Sequence, residues 1–180
     1  MSDLHRQTDK HTHLNWCYLL GVFVIAYQKY QRRLAGMIWW KARQDVLSQE
    51  NPPRWQEAAH IANDFCSNFQ RSSTDKQATM MRDKDVEQEH VDRFRALARR
   101  RNLLLHGDYS NANPDRSPFS SYSFDAFGNV TGTLASQRSE PEQVTLDTLQ
   151  DAIQEAQALD DLAWQTNVAM WRQSRQSKGD

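Results

Sequence analysis

Just past its midpoint the chain gathers side chains able to act on a phosphodiester: Arg93 and Arg95, then ARRRNLLLHGDY from Ala98 to Tyr109. A guanidinium offers rigid paired donors that match phosphoryl oxygens. An imidazole titrates near neutral pH, so it can take a proton and return it. On a helix advancing 100° per residue, Arg95, Arg99, Asn102 and His106 fall within about 60° of one another and form one polar stripe. Arg101 falls elsewhere, near the middle of the apolar arc of Phe94, Ala98 and Leu105. An arginine there must be paired or face a wet cleft, because a buried unpaired charge is very costly. The last turn, Leu103–Leu105, is apolar on every side. Such a helix end is expected to be covered all round, with a second subunit as one candidate cover.

The run R-N-L-L-L-H-G, Arg101 to Gly107, resembles the signature of the HEPN superfamily: an arginine, four to six residues, then a histidine, with a polar residue usually following the arginine. Arg101, Asn102 and His106 match it position for position. The layout over roughly residues 13–172 is also similar, with a long first helix, an arginine-rich motif helix, a variable insert and a closing helix. In a chain of this composition R-x4-H alone arises by chance about half the time, whereas R-N-x3-H-G has a chance expectation of about one in a thousand. Arg99 and Arg100 also satisfy the spacing to His106, so the choice of Arg101 rests on Asn102. Some family toxins carry R-x4-H-x-Y, with a tyrosine modified by a partner nucleotidyltransferase. Here Tyr109 stands one place later, a departure from that pattern.

The resemblance implies a mainly α, four-to-five-helix HEPN-like bundle and a homodimer that brings two motifs to one cleft. It implies metal-independent RNA cleavage with no cofactor. In that chemistry His106 takes the proton from a ribose 2′-OH or gives one to the leaving 5′-oxygen, and two copies across the dimer divide the roles. Arg101 stabilises charge on the phosphoryl oxygens, and Asn102 orients the phosphate or the imidazole. Arg95, Arg99, Arg100 and Tyr109 would contact RNA, with salt-dependent affinity. The need for a 2′-OH makes DNA a non-substrate. A toxin or anti-phage role, restrained by a protein partner, is what the resemblance suggests.

The same residues support an alternative. Arg and His in a last helical turn favour the helix dipole without any catalytic role. Arg101 could pair with a buried carboxylate and hold a non-catalytic helical adaptor together. There is no G-x-x-x-x-G-K-[ST], H-E-x-x-H or G-x-S-x-G, so P-loop, zincin and α/β-hydrolase chemistry lack support.

The elements that must position the motif are legible as apolar steps of three and four. From about Leu14 to Ala42, Trp16, Leu19, Phe23, Tyr27, Tyr30 and Leu34 predict a helix about 40 Å long. SQENPP, residues 48–53, breaks the chain, and Pro53 can open a second helix carrying Trp55, Ala58, Ile61, Phe65 and Phe69. Gln70 to Lys76 reads as a loop. A third helix runs from about Asp83 to His106, where Gly107 stops it. Residues 108–142 form an insert, in which SYSF (121–124) and VTGTL (130–134) predict a hairpin. Thr148-x-x-Asp151 resembles a capping box that opens the last helix. The acids of that helix, Asp151, Glu155, Asp160 and Asp161, read as a solvated face. The organisation is one domain over 13–172 with flexible tails at 1–12 and 173–180. His5, His11 and His13, in and beside the first tail, lack an acidic or thiol partner at a metal-binding spacing.

Composition bounds the rest. The 180 residues include 38% hydrophobic side chains, six Trp, seven Phe and five Tyr, enough for a core and against a wholly disordered chain. With 22 basic and 23 acidic residues the net charge is −1, which excludes coating of nucleic acid through bulk charge. Cys17 and Cys66 stand alone, which argues against a disulfide framework or zinc ribbon and fits a reducing, cytoplasmic compartment. WCYLLGVFVIAY, residues 16–27, is uncharged but shorter than the roughly 20 residues of a membrane span, so it reads as a core helix.

Overall fold

Those apolar steps produce five helices: α1 (Asp3–Leu47), α2 (Trp55–Arg71), α3 (Thr74–Arg82), α4 (Gln88–His106) and α5 (Leu146–Gln176). The structure, a computed structural model, describes residues 3–108, 130–134, 142–144 and 146–176, with side chains over 14–105 and 146–175. The protein is mainly helical. Among the described residues no helix is long and apolar enough to cross a membrane.

α1 is longer than its apolar pattern. Helical backbone begins at Asp3, inside the segment expected to be a tail, because no Gly or Pro interrupts the chain before Gly21. It ends at the expected SQENPP break. α2 starts at Trp55, where the Arg54 amide donates to the Glu57 carboxylate at 3.3 Å.

α3 corrects the expected loop at 70–76. Ser73 caps it by accepting from the Lys76 amide, and Asp75 sits in its first turn, where a negative charge suits the helix dipole. Its apolar content is small, with Ala78, Met80 and Met81 buried beside Gln77. The expected single helix from Asp83 is also corrected, since α4 begins at Gln88. Between them the Val86 amide donates to the Met81 carbonyl at 3.0 Å and the Asp85 amide to the Arg82 carbonyl at 2.9 Å. With Asp85 at φ 51° this is a Schellman stop, sealed by buried Val86.

α5 begins at Leu146, two residues before the Thr148 expected to cap it. Three short antiparallel strands stand in the order β1 (Gly107–Asp108), β2 (Val130–Leu134), β3 (Glu142–Val144). Gly107 pairs with Leu134, and Val130 with Val144. The hairpin expected between 121–124 and 130–134 is not supported. Residues 121–124 lie outside the described residues, and 130–134 pairs with the other two segments instead.

The chain divides into two compact units, Met1–Ala26 with Leu97–Glu155, and Tyr27–Ala96 with Ala156–Asp180. The first buries Trp16, Leu20, Phe23, Leu97, Leu104 and Leu149. The second buries Tyr30, Leu34, Ile38, Phe69, Phe94 and Leu159. Most predicted core positions are therefore inside. Ile61 and Trp55 are exceptions, at 48% and 40% exposed.

The second unit holds two charged clusters. Asp160, expected on a solvated face, is 3% exposed and accepts from Lys29 at 2.8 Å and Arg33 at 3.1 Å. Arg33 also lies over the Trp164 ring, and its carbonyl accepts from Asn167 at 2.9 Å. The Arg43 guanidinium, 3% exposed, lies 3.2 Å from the centre of the Trp55 ring, with Trp40 and Trp39 at 4.6 and 5.0 Å. Among the described residues no carboxylate or hydrogen-bond acceptor meets it, and burial pushes its pKa below the ordinary arginine value.

Candidate active site

The motif occupies the last two turns of α4, in the first unit. Leu103 and Leu104 are each 2% exposed and Leu105 is half-buried, so the chain itself covers most of the apolar turn. That burial anchors the helix end and fixes the side chains that precede it. His106 is the last residue of α4, as the stop at Gly107 predicts.

Arg101 is half-buried. Its Nη1 donates to Asn102 Oδ1 at 2.9 Å, so the two adjacent motif residues act on one another. Among the described residues no carboxylate reaches the Arg101 guanidinium. The pairing with a buried acid that a purely architectural role would call for is not found there. Among the described residues one neutral amide is what the guanidinium meets, which leaves it further donors for an anion.

The other cations separate. Arg99 is exposed and Arg100 half-buried, each without an ion pair among the described residues. Arg95 belongs to the second unit. It is drawn to Asp75 on α3 at 3.4 Å, and its Nε is buried without a hydrogen-bond partner. Of the expected stripe, Arg95 already serves α3, an element the sequence did not announce, while Arg99 and Asn102 belong to the first unit. Tyr109 lies outside the described residues. No three His, Cys, Asp or Glu side chains converge as a metal site among the described residues.

Sequence reasoning passed over a polar cavity in the second unit, lined by glutamines from three helices. Their signal is weak, because Gln on a helix surface is ordinary and only the fold shows that Gln28, Gln31, Gln70 and Gln77 converge.

Comparison with known proteins yields no matching family model, no similar curated protein and no similar solved structure.

Proposed function

We propose that this chain is a HEPN-like, metal-independent endoribonuclease acting as a cytoplasmic homodimer, with Arg101, Asn102 and His106 as its catalytic residues. The observation that carries this reading is the half-buried Arg101 guanidinium, bound to Asn102 and met by no carboxylate among the described residues, five positions before a helix-terminal histidine.

In the proposed reaction one His106 removes the 2′-OH proton, and the 2′-oxygen attacks the adjacent phosphorus. The bond to the 5′-oxygen breaks, and the second His106 of the dimer protonates that oxygen. The products are a 2′,3′-cyclic phosphate and a 5′-hydroxyl end. Arg101 holds the phosphoryl oxygens as charge builds on them, and Asn102 fixes the guanidinium plane. Arg99 and Arg100 bind the RNA backbone, with Arg95 and Tyr109 at the margin. A toxin or anti-phage role with a restraining protein partner follows the same resemblance.

The test is incubation of purified protein with RNA in EDTA, beside Arg101→Ala and His106→Ala. Cleavage by the wild type alone supports the enzyme. Intact RNA throughout, with both variants folded, overturns it in favour of a non-catalytic helical adaptor.

A further inference from the structure

A cavity of about 320 Å³ opens in the second unit, away from the motif in sequence and built entirely from residues of that unit. Its size sits at the lower end of small-molecule sites, about 300–1,000 Å³. Four glutamines line it, Gln28 and Gln31 from α1, Gln70 from α2 and Gln77 from α3, together with Arg32. Among the described residues no carboxylate does. The apolar part of the wall is Leu34, Phe69 and Phe94, each at most 2% exposed, which gives the polar groups a rigid backing.

Two of the carboxamides are already oriented. The Gln77 Nε2 donates to the Phe69 carbonyl at 2.9 Å, and the Gln31 Nε2 donates to the Tyr27 hydroxyl at 3.0 Å. Each spends one donor on the protein, and among the described residues no protein donor reaches either Oε1. A fixed carboxamide with a free acceptor and a remaining N–H matches the edge of a planar heterocycle that carries donor and acceptor side by side. Gln28 and Gln70, both exposed, add adaptable partners at the rim. Arg32 is exposed and has no ion pair among the described residues. A cation standing beside amides, with no ion pair among the described residues, is matched by a small polar ring bearing an anionic group.

We infer that this cavity binds a single nucleotide, its base read by Gln31 and Gln77 and its phosphate held by Arg32. The volume admits one nucleotide and not a dinucleotide cofactor. The nucleotide is either free or one residue of an RNA strand. The site is independent of the ribonuclease reading: it draws on none of the motif residues, and either can fail alone.

The experiment is calorimetric titration of the full-length protein with AMP, GMP, CMP and UMP, with the matching nucleosides, with orthophosphate and with a short single-stranded RNA. At least one mononucleotide is expected to bind in the micromolar to low-millimolar range, with its nucleoside about tenfold weaker or more. Arg32→Gln should abolish that preference for the phosphorylated form, since Arg32 is exposed and the fold does not depend on it. Gln31→Leu should weaken nucleotide and nucleoside alike by about tenfold. If Gln77→Leu perturbs folding, as circular dichroism would show, Gln31→Leu carries the base-reading test by itself. Tighter binding of the RNA than of any mononucleotide, in competition with it, assigns the site to an RNA residue, and the reverse order to a free nucleotide. No binding of any mononucleotide up to about 5 mM, or orthophosphate binding as tightly as the best of them, overturns the proposal.

Discussion

Arg33 and Asp160, 127 positions apart in sequence, meet with Nε and Oδ1 3.1 Å apart, the carboxylate buried and the guanidinium roofed by Trp164. Lys29 occupies the other carboxylate oxygen at 2.8 Å. Removing the acid would leave two cations without their counter-ion, and Arg33 has only partial access to water. Asp160→Asn should lower the unfolding free energy by about 2–4 kcal/mol, measured by urea denaturation. Asp161→Asn, at the exposed neighbour, should change it by less than about 0.5 kcal/mol. Equal effects at the two positions would show that the cluster contributes nothing specific.

Gly36 lies beside this cluster. The three atoms nearest to a Cβ built there belong to the Asn167 carboxamide, at 3.4 to 3.7 Å, which is ordinary contact. Glycine inside a helix costs roughly 0.5–1 kcal/mol relative to alanine. Gly36→Ala should therefore raise the melting temperature by a few degrees. A fall would mean that Asn167 cannot tolerate the added carbon while it donates to the Arg33 carbonyl.

At Arg43, charge and packing make opposite contributions. The buried guanidinium meets no acceptor among the described residues, yet it lies against Trp39, Trp40 and Trp55. Its lowered pKa means that folding disfavours the charged form. That cost is present in full at every pH below the folded pKa and falls away as pH rises through it. Arg43→Met keeps the bulk and drops the charge, so its stability should stay within about 1 kcal/mol of wild type. Arg43→Ala leaves a cavity under the rings and should cost about 2–4 kcal/mol. A loss of that size for the methionine variant would reveal cation–π attraction outweighing desolvation.

Cys66 has its thiol turned to the Ala35 carbonyl at 3.5 Å, and burial pushes its pKa above the ordinary thiol range. Less thiolate is then present at a given pH, so in a Cys17→Ser background iodoacetamide should react more slowly with folded than with urea-unfolded protein. The linked stability is full below the ordinary thiol pKa and is lost as pH rises through the raised folded value. Matching alkylation–pH curves for the two states would refute this.

For the proposed ribonuclease, Arg101→Lys should be nearly as inactive as Arg101→Ala. A point charge does not reproduce the paired donors, nor the geometry fixed through Asn102 at 2.9 Å. His106→Ala should lose roughly 10²–10⁴-fold in RNA cleavage rate. Retention of most of the activity by Arg101→Lys would point to Arg99 or Arg100 as the motif arginine.

What the sequence disclosed depended on whether a signal was periodic or distant. The 3.6-residue repeat of Phe23, Tyr30, Leu34 and Phe94 announced buried helix faces, and each is at 0% exposure. α3 was hidden because TDKQATMMR places few apolar residues on its inner face and buries a glutamine. Asp160 was misread because it adjoins Asp161, and nothing local distinguishes an acid facing water from one facing Lys29 and Arg33. The motif itself was local, so its position at the end of α4 could be foreseen. What meets Arg101 could not, since that is a question about the rest of the chain.

The boundaries between the two compact units fall inside α1, α4 and α5, so each unit is assembled from two separate stretches of chain. Neither can be obtained by trimming the gene from an end: excising one would sever helices and leave its halves as unconnected peptides. Before Leu34 and Leu159 can share an interior, some 120 intervening residues must be looped, which sets an entropic hurdle that grows only slowly with insert length. An additional sequence grafted between positions 134 and 142, beyond β2, should therefore tax assembly modestly, whereas a cut within any of the three crossing helices should prevent it.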